Sequence, residues 1–174
     1  MSDIQSDTGW RALLGSWRNV AVESVRMHYD AQRRFSRCHL WIGGTATVLT
    51  TVVTAAVVKE IGGASAAPWF RWGLAIAAVL ATILTALNAS LGYADRSVGH
   101  RTTAAGYAAV RRRIDEELTF GRSSVEEQRR IAESIRTSLD ALSHDAPEVP
   151  ADILAKHRQA SLAVPPETGG RATT

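Results

Sequence analysis

The apolar positions of this chain gather into two unbroken blocks, with patterned, charge-rich sequence on either side. No charged residue occurs from Leu40 to Val58 or from Trp72 to Tyr93. At about 1.5 Å of rise per helical residue, each block is long enough to cross roughly 30 Å of hydrocarbon. Between them, Ile61-Gly62-Gly63-Ala64-Ser65-Ala66-Ala67-Pro68 holds the residues that turn a chain. The pattern predicts an all-α membrane protein, a two-helix transmembrane hairpin with long cytoplasmic helical extensions. Its expected divisions are a cytoplasmic amphipathic helix at 1–39, a hairpin at 40–93 and a cytoplasmic helical region at 94–162. Within the hairpin the spans are 40–58 and 72–93, with the loop 59–71 outside, and 163–174 reads as a disordered tail.

The flanks carry helical periodicity. Trp10, Leu13, Trp17 and Val20 mark one face of a first helix, which Asp7 or Thr8 can cap and which runs on through Met27 and Tyr29. Its two tryptophans suit a membrane surface, but packing against the helix that follows the second span is the favoured reading. That later helix has no proline before Pro147, so it is expected to continue from the span without a break. Tyr107, Val110, Ile114 and Leu118 form its stripe. Phe120-Gly121-Arg122 ends it, and Ser124 with Glu127 makes a capping box for another helix. Ile131, Ile135, Leu139 and Leu142 stripe that helix, which stops near His144-Asp145-Ala146-Pro147. Pro150 can begin a last short one.

Small residues recur within the spans. Gly43, Thr47, Thr51 and Ala55 share one face, and Gly73, Ala77, Ala81, Thr85 and Ala89 share another. Such faces let helix backbones approach closely, which drives association in lipid. They either close the hairpin within one subunit or also build a homo-oligomer. In an oligomer the threonines and Asn88 line a weakly polar passage, since two helices alone cannot enclose water. Gly92, Gly99 and Gly106, seven residues apart, suggest a further face pressed against a neighbouring helix.

Composition enters only where it changes this picture. Average hydropathy is near zero because charged flanks offset the apolar blocks. The net charge of +3 and pI near 9.5 would suit nucleic acid or an anionic membrane surface, and the arginine positions decide between them. Arg26, Arg33, Arg34 and Arg37 precede the first span; Arg96, Arg101 and Arg111 to Arg113 follow the second; the loop region has only Lys59 and Arg71. The positive-inside rule then puts both termini in the cytoplasm. Trp41 and Tyr93 at one end, and Trp69, Phe70 and Trp72 at the other, suit the two interfacial belts. Each of Arg111, Arg112 and Arg113 has an acid four residues later, so the run reads as a self-paired helix face. No nucleic-acid partner is expected.

The first 38 residues are too polar for a signal peptide, so the first apolar block is expected to act as the targeting signal. The single Cys38 allows no internal disulfide and reads as a small residue packed at a helix end, with reversible acylation the less favoured role. The histidines, His28, His39, His100, His144 and His157, are scattered without metal-ligand spacing. With no phosphate-binding glycine loop, nucleophile elbow or paired catalytic residues, no catalytic, metal or cofactor site is expected. No ionisable residue lies within a span, which argues against a proton relay or pump.

The layout, with the post-span sequence Tyr93-Ala94-Asp95-Arg96, His100-Arg101 and Ala104-Ala105-Gly106-Tyr107-Ala108-Ala109-Val110-Arg111, resembles the SLATT domains, two-transmembrane effector modules of bacterial conflict systems. The resemblance covers roughly residues 10–160 and rests on architecture rather than a catalytic signature. It implies a pore-forming effector that permeabilises the inner membrane when a nucleotide-producing or nucleotide-sensing cytoplasmic partner is triggered in antiviral defence. It gives His100, Arg101, Tyr107 and Arg111 a structural or signalling role. No fused sensor domain is expected, so activation is expected to fall to a separate partner or to direct binding at the cytoplasmic helices. Competing expectations are a non-conducting membrane-tethered scaffold for a cytoplasmic partner and a soluble regulator with a buried hairpin.

Overall fold

The computed structural model describes the backbone of residues 2–61, 67–121 and 124–163, and the side chains of 8–59, 67–121 and 124–160. Within them the chain is all helical: α1 (Ser2–Ile61), α2 (Pro68–Leu91), α3 (Tyr93–Phe120), α4 (Val125–Asp145) and α5 (Ala151–Ala163). Two helices are long and apolar enough to cross a membrane. The chain divides into two compact units. One comprises residues up to Ala31 together with those from His100 onward, and the other is Gln32–Gly99.

The first unit is built by burial. Leu14, Val110, Ile114 and Ile135 form its core, with Trp10, Trp17, Leu118, Ile131, Leu139 and Leu142 packed around them. Removing each large apolar side chain from water is worth about 1.5–3 kcal/mol, which is why these stripes face inward. The α4 stripe read from the sequence and all of the α3 stripe but Tyr107 lie in this cluster, and the N-terminal part of α1 packs with them. The face that α1 uses differs from the one expected. Leu13 and Val20 are exposed, while Leu14, Ala21, His28 and Ala31 are buried. Those positions, with Trp17, are spaced by three, four or seven residues, as in a coiled-coil seam. On α3, His100, Thr103, Tyr107, Val110 and Ile114 continue the same spacing. Arg18 is ion-paired with Asp115 and His28 is bonded to His100, so α1 and α3 run antiparallel in this unit.

Local signals set most helix ends. The Ser124 hydroxyl accepts from the Glu127 amide at 3.4 Å and starts α4. The Pro150 carbonyl accepts from the amides of Ile153 and Leu154 and starts α5. Other expectations on helix limits are corrected. Asp7 and Thr8 lie inside α1, which already begins at Ser2, so neither caps it. Lys59 belongs to α1 and Arg71 to α2, which shortens the connection to residues 62–67. Most of that turn, and the tail from 164 on, lie outside the described residues.

The main departure is at Gly92. The second apolar helix does not continue into the next one; it ends at Leu91, and Gly92 takes the left-handed conformation at φ 56°. A residue with a Cβ is strained there, whereas glycine is not. The Gly92 carbonyl then accepts from Arg96 N to begin α3. A lone helical glycine is usually tolerated, so the sequence alone did not reveal this break.

The second unit, the hairpin, buries almost nothing of itself. Only 6% of the most apolar 18-residue stretch of each helix is buried; Ala46 of α1 and Ala81 of α2 are the enclosed residues there. Near the polar end of the hairpin, Phe35 and Tyr93 stack with centroids 6.1 Å apart, and the Arg96 guanidinium lies over Phe35. Ser97 adds a hydroxyl bond to the Gln32 carbonyl. Tyr93 is therefore engaged within the chain, whereas Trp41, Trp69 and Trp72 are largely exposed.

Candidate functional site

A groove about 930 Å³ in volume runs along the hairpin from His39 to Ala55 of α1, with Thr85 and Asn88 contributed by α2. Gly43, Thr47 and Thr51 lie on its α1 side. The two helices are close where side chains are small: a Cβ added to Gly43 would come within 3.3 Å of Asn88 Nδ2. The Asn88 amide oxygen also meets His39 Nδ1 at 3.1 Å. A half-buried amide that bonds across helices helps to hold a hairpin in register. Asn88 is thus the interhelical partner that a lone polar residue in an apolar span usually becomes.

The threonines in the groove are polar by composition but spent as donors. Thr47 donates to the Gly43 carbonyl at 2.9 Å, Thr50 to Ala46 at 2.8 Å, and Thr51 to Thr47 at 2.9 Å. Thr54 donates to Thr50, and Thr85 to Ala81, each at 2.8 Å. This back-bonding to the preceding turn satisfies each hydroxyl proton internally. The groove therefore offers methyl groups and acceptor lone pairs, and no threonine donor is left for a water or an anion.

Along the α2 small-residue row, Ala81 is buried, Ala77 half-buried and Thr85 exposed towards the groove. Gly73 is open: a Cβ there would meet nothing within 4 Å. The row is consumed by the hairpin at Ala81 and unfilled at Gly73. The other expected row, Gly92, Gly99 and Gly106, is not one face, because Gly92 interrupts the helix. Gly106 alone shows the close approach. A Cβ on it would stand 2.5 Å from Leu142 Cδ2 of α4. Gly99 is a helical, half-buried residue of α3.

The residues implied by the SLATT resemblance fall in three environments. His100 and Tyr107 are buried, and Arg101 is exposed. Arg111 makes an ion pair with Asp115 at 3.5 Å, too poorly aligned for a hydrogen bond from its Nε. The three-arginine run is not uniformly self-paired. Arg113 reaches across to Ser134 Oγ of α4 at 2.9 Å, and Asp115 is shared with Arg18 of α1.

Two histidine arrangements join residues too distant in sequence for spacing to reveal. His28 and His100, both buried, meet Nδ1 to Nδ1 at 2.9 Å, and the His28 ring stacks on Tyr107. One ring must donate its Nδ1 proton and the other accept it, so the contact fails if both nitrogens are protonated. Burial, with repulsion from His100 second, pushes the His28 pKa down to about 4; burial lowers that of His100 as well. On α5, His157 bridges α1, with Nδ1 at 2.9 Å from Glu23 and Nε2 at 3.2 Å from Asp30. Lys156 joins Asp30 at 3.1 Å, and this bond is the main reason the Asp30 carboxyl lies below its ordinary range. Among the described residues no group of three or more metal-ligating side chains is set to hold an ion.

No family model, curated protein or solved structure matches the chain.

Proposed function

We propose that this chain is a membrane effector that oligomerises and permeabilises the inner membrane when triggered by a nucleotide-producing or nucleotide-sensing partner in a bacterial defence system. Both termini, and with them the helical unit, then lie in the cytoplasm. The observation that carries this reading is the unfinished packing of the hairpin. Its α2 face from Trp72 through Ile76 to Leu80 is exposed, as are Val48, Val52 and Val58 of α1, and Gly73 touches nothing. A soluble core helix of this composition would be enclosed; these surfaces suit lipid and further copies of the chain. The trigger and the defence setting rest on the SLATT resemblance.

The test is a membrane-potential dye in bacteria carrying the triggered system, comparing the parent with Gly73→Leu. A Cβ at this position meets nothing within 4 Å in the chain, so the variant is directed at assembly rather than at packing within one copy. The expected result is depolarisation by the parent and its loss in the variant. Cells that stay polarised while the triggered complex forms would end this reading.

One observation favours the non-conducting scaffold instead. The groove threonines donate into their own helices, leaving no threonine hydroxyl proton to line a water passage. On the scaffold reading, exchanging both spans for unrelated apolar helices preserves activity. On the effector reading it abolishes activity.

A further inference from the structure

We propose that the hairpin groove is a binding site for one anionic phospholipid, with an acyl chain along the threonine face and the phosphate held by Arg33 and Arg37. The proposal rests on the reading that the hairpin spans a bilayer.

Three features lead to it. The first is surface chemistry. Because the hydroxyls of Thr47, Thr51 and Thr54 donate to their own helix, the groove presents largely apolar, methyl-rich walls. Such walls favour hydrocarbon over water. The second is length. From His39 to Ala55 the groove covers sixteen residue steps, roughly 24 Å at the helical rise, and a leaflet is about 15 Å of hydrocarbon, half the core. An acyl chain entering at the His39 end therefore fits with room to spare, and a volume of about 930 Å³ is ample for it.

The third feature is charge. Arg33, Arg37, Leu40, Gly44, Thr47 and Thr51 follow one another at steps of four and three, so they occupy one face of α1. From Leu40 onward that face lines the groove. Below it the two arginines are exposed, where the headgroup of a lipid in the groove would sit. Guanidinium groups bind phosphate oxygens with paired, charge-assisted hydrogen bonds. At this end of the unit Arg34 and Arg96 add to the positive charge, and Asp95 is the only acid.

The same charge argues against the other occupant, a second copy of α1. In a symmetric assembly within one membrane, a neighbour's groove face would bring its own Arg33 and Arg37 to the same depth. Like charges would then meet, whereas an anionic lipid neutralises both.

The experiment uses the full chain extracted from membranes and native mass spectrometry with phosphatidylglycerol and phosphatidylcholine of identical acyl chains. Each arginine near an anionic headgroup contributes about a fivefold preference, so the parent is expected to retain phosphatidylglycerol about twentyfold over phosphatidylcholine. Arg33→Gln with Arg37→Gln should bring the ratio close to unity. Gly44→Leu should displace both lipids; leucine there projects into the groove without meeting any atom of the chain within 4 Å of its Cβ. Equal retention of the two lipids by the parent would overturn the proposal. So would a phosphatidylglycerol preference that survives Gly44→Leu, since that would reflect headgroup attraction alone. High-yield disulfide crosslinking between copies through Thr51→Cys, in a Cys38→Ser background, would also overturn it by assigning the groove to protein. Recovery of the chain in the soluble fraction without detergent would instead remove the bilayer reading beneath it.

Discussion

In the unit made of residues up to Ala31 and from His100 onward, Leu14, Ile114 and Ile135 are wholly enclosed. In the hairpin, the apolar stretches are as long as any in the chain, yet Ala46 and Ala81 are what they enclose. The first unit meets the demand for burial from within, through a seam of α1 and α3 and the stripe of α4. The hairpin uses its contacts for register, at Gly43, Asn88 and His39, and leaves its large side chains outside. Hydrophobic residues thus have two jobs here. In one unit they are the adhesive, and in the other they are an exposed surface.

The sharpest way to break the comparison is to truncate matched residues in the two units. Ile114→Ala should destabilise the helical unit by about 2–5 kcal/mol, the usual cost of a core cavity. Leu80→Ala on the exposed α2 face should change stability by less than about 0.5 kcal/mol. Thermal unfolding in detergent, followed by helicity, reads both. Equal effects would mean that the hairpin has a core of its own.

Acid separates the units next. His28 has a folded pKa of about 4, below the ordinary value of 6.5, so the unfolded chain takes up its proton first as pH falls. Stability from this residue is complete above pH 6.5 and is lost between pH 6.5 and 4, by at most about 3 kcal/mol. Asp30, whose carboxyl lies below its usual range, adds a loss only at still lower pH. Denaturant melts at pH 7.5 and 4.5 should differ in the parent and differ much less in His28→Gln. A parent whose stability is flat over that window would remove the buried pair from the account.

Three glycines sharpen the contrast further. Gly106→Ala forces Leu142 to move and should cost about 1–3 kcal/mol by overpacking. Gly92→Ala meets no atom but must hold a left-handed backbone, at about 1 kcal/mol. Gly73→Ala has neither burden and should be neutral or slightly stabilising, as a helical alanine is. Unfolding midpoints measured side by side give the order, and a large loss at Gly73 would contradict its open position.

Much of this fold could be read in the sequence because its signals are local. Uncharged runs marked the two apolar helices, four-residue periodicity marked the stripes of α3 and α4, and Ser124 with Glu127 marked a cap. What escaped has identifiable causes. Bulky Leu13 and Val20 drew attention away from Leu14, Ala21 and Ala31, because size suggests burial while a close seam selects small residues. Gly92 fitted a sevenfold row by chance, and its backbone conformation left no mark on the pattern. His28 with His100, and His157 with Glu23 and Asp30, lie 72 to 134 residues apart, so only the packed helices join them. The threonines line a groove, but their bonding to the preceding turn, which composition does not reveal, makes its walls largely apolar.

The central claim is that lipid covers the hairpin faces that the protein itself leaves bare. The most direct measurement is alkaline carbonate extraction of membranes from cells expressing the chain. The account predicts that the protein stays in the pellet and is released only by detergent. Recovery in the carbonate supernatant, monodisperse without detergent, would contradict it.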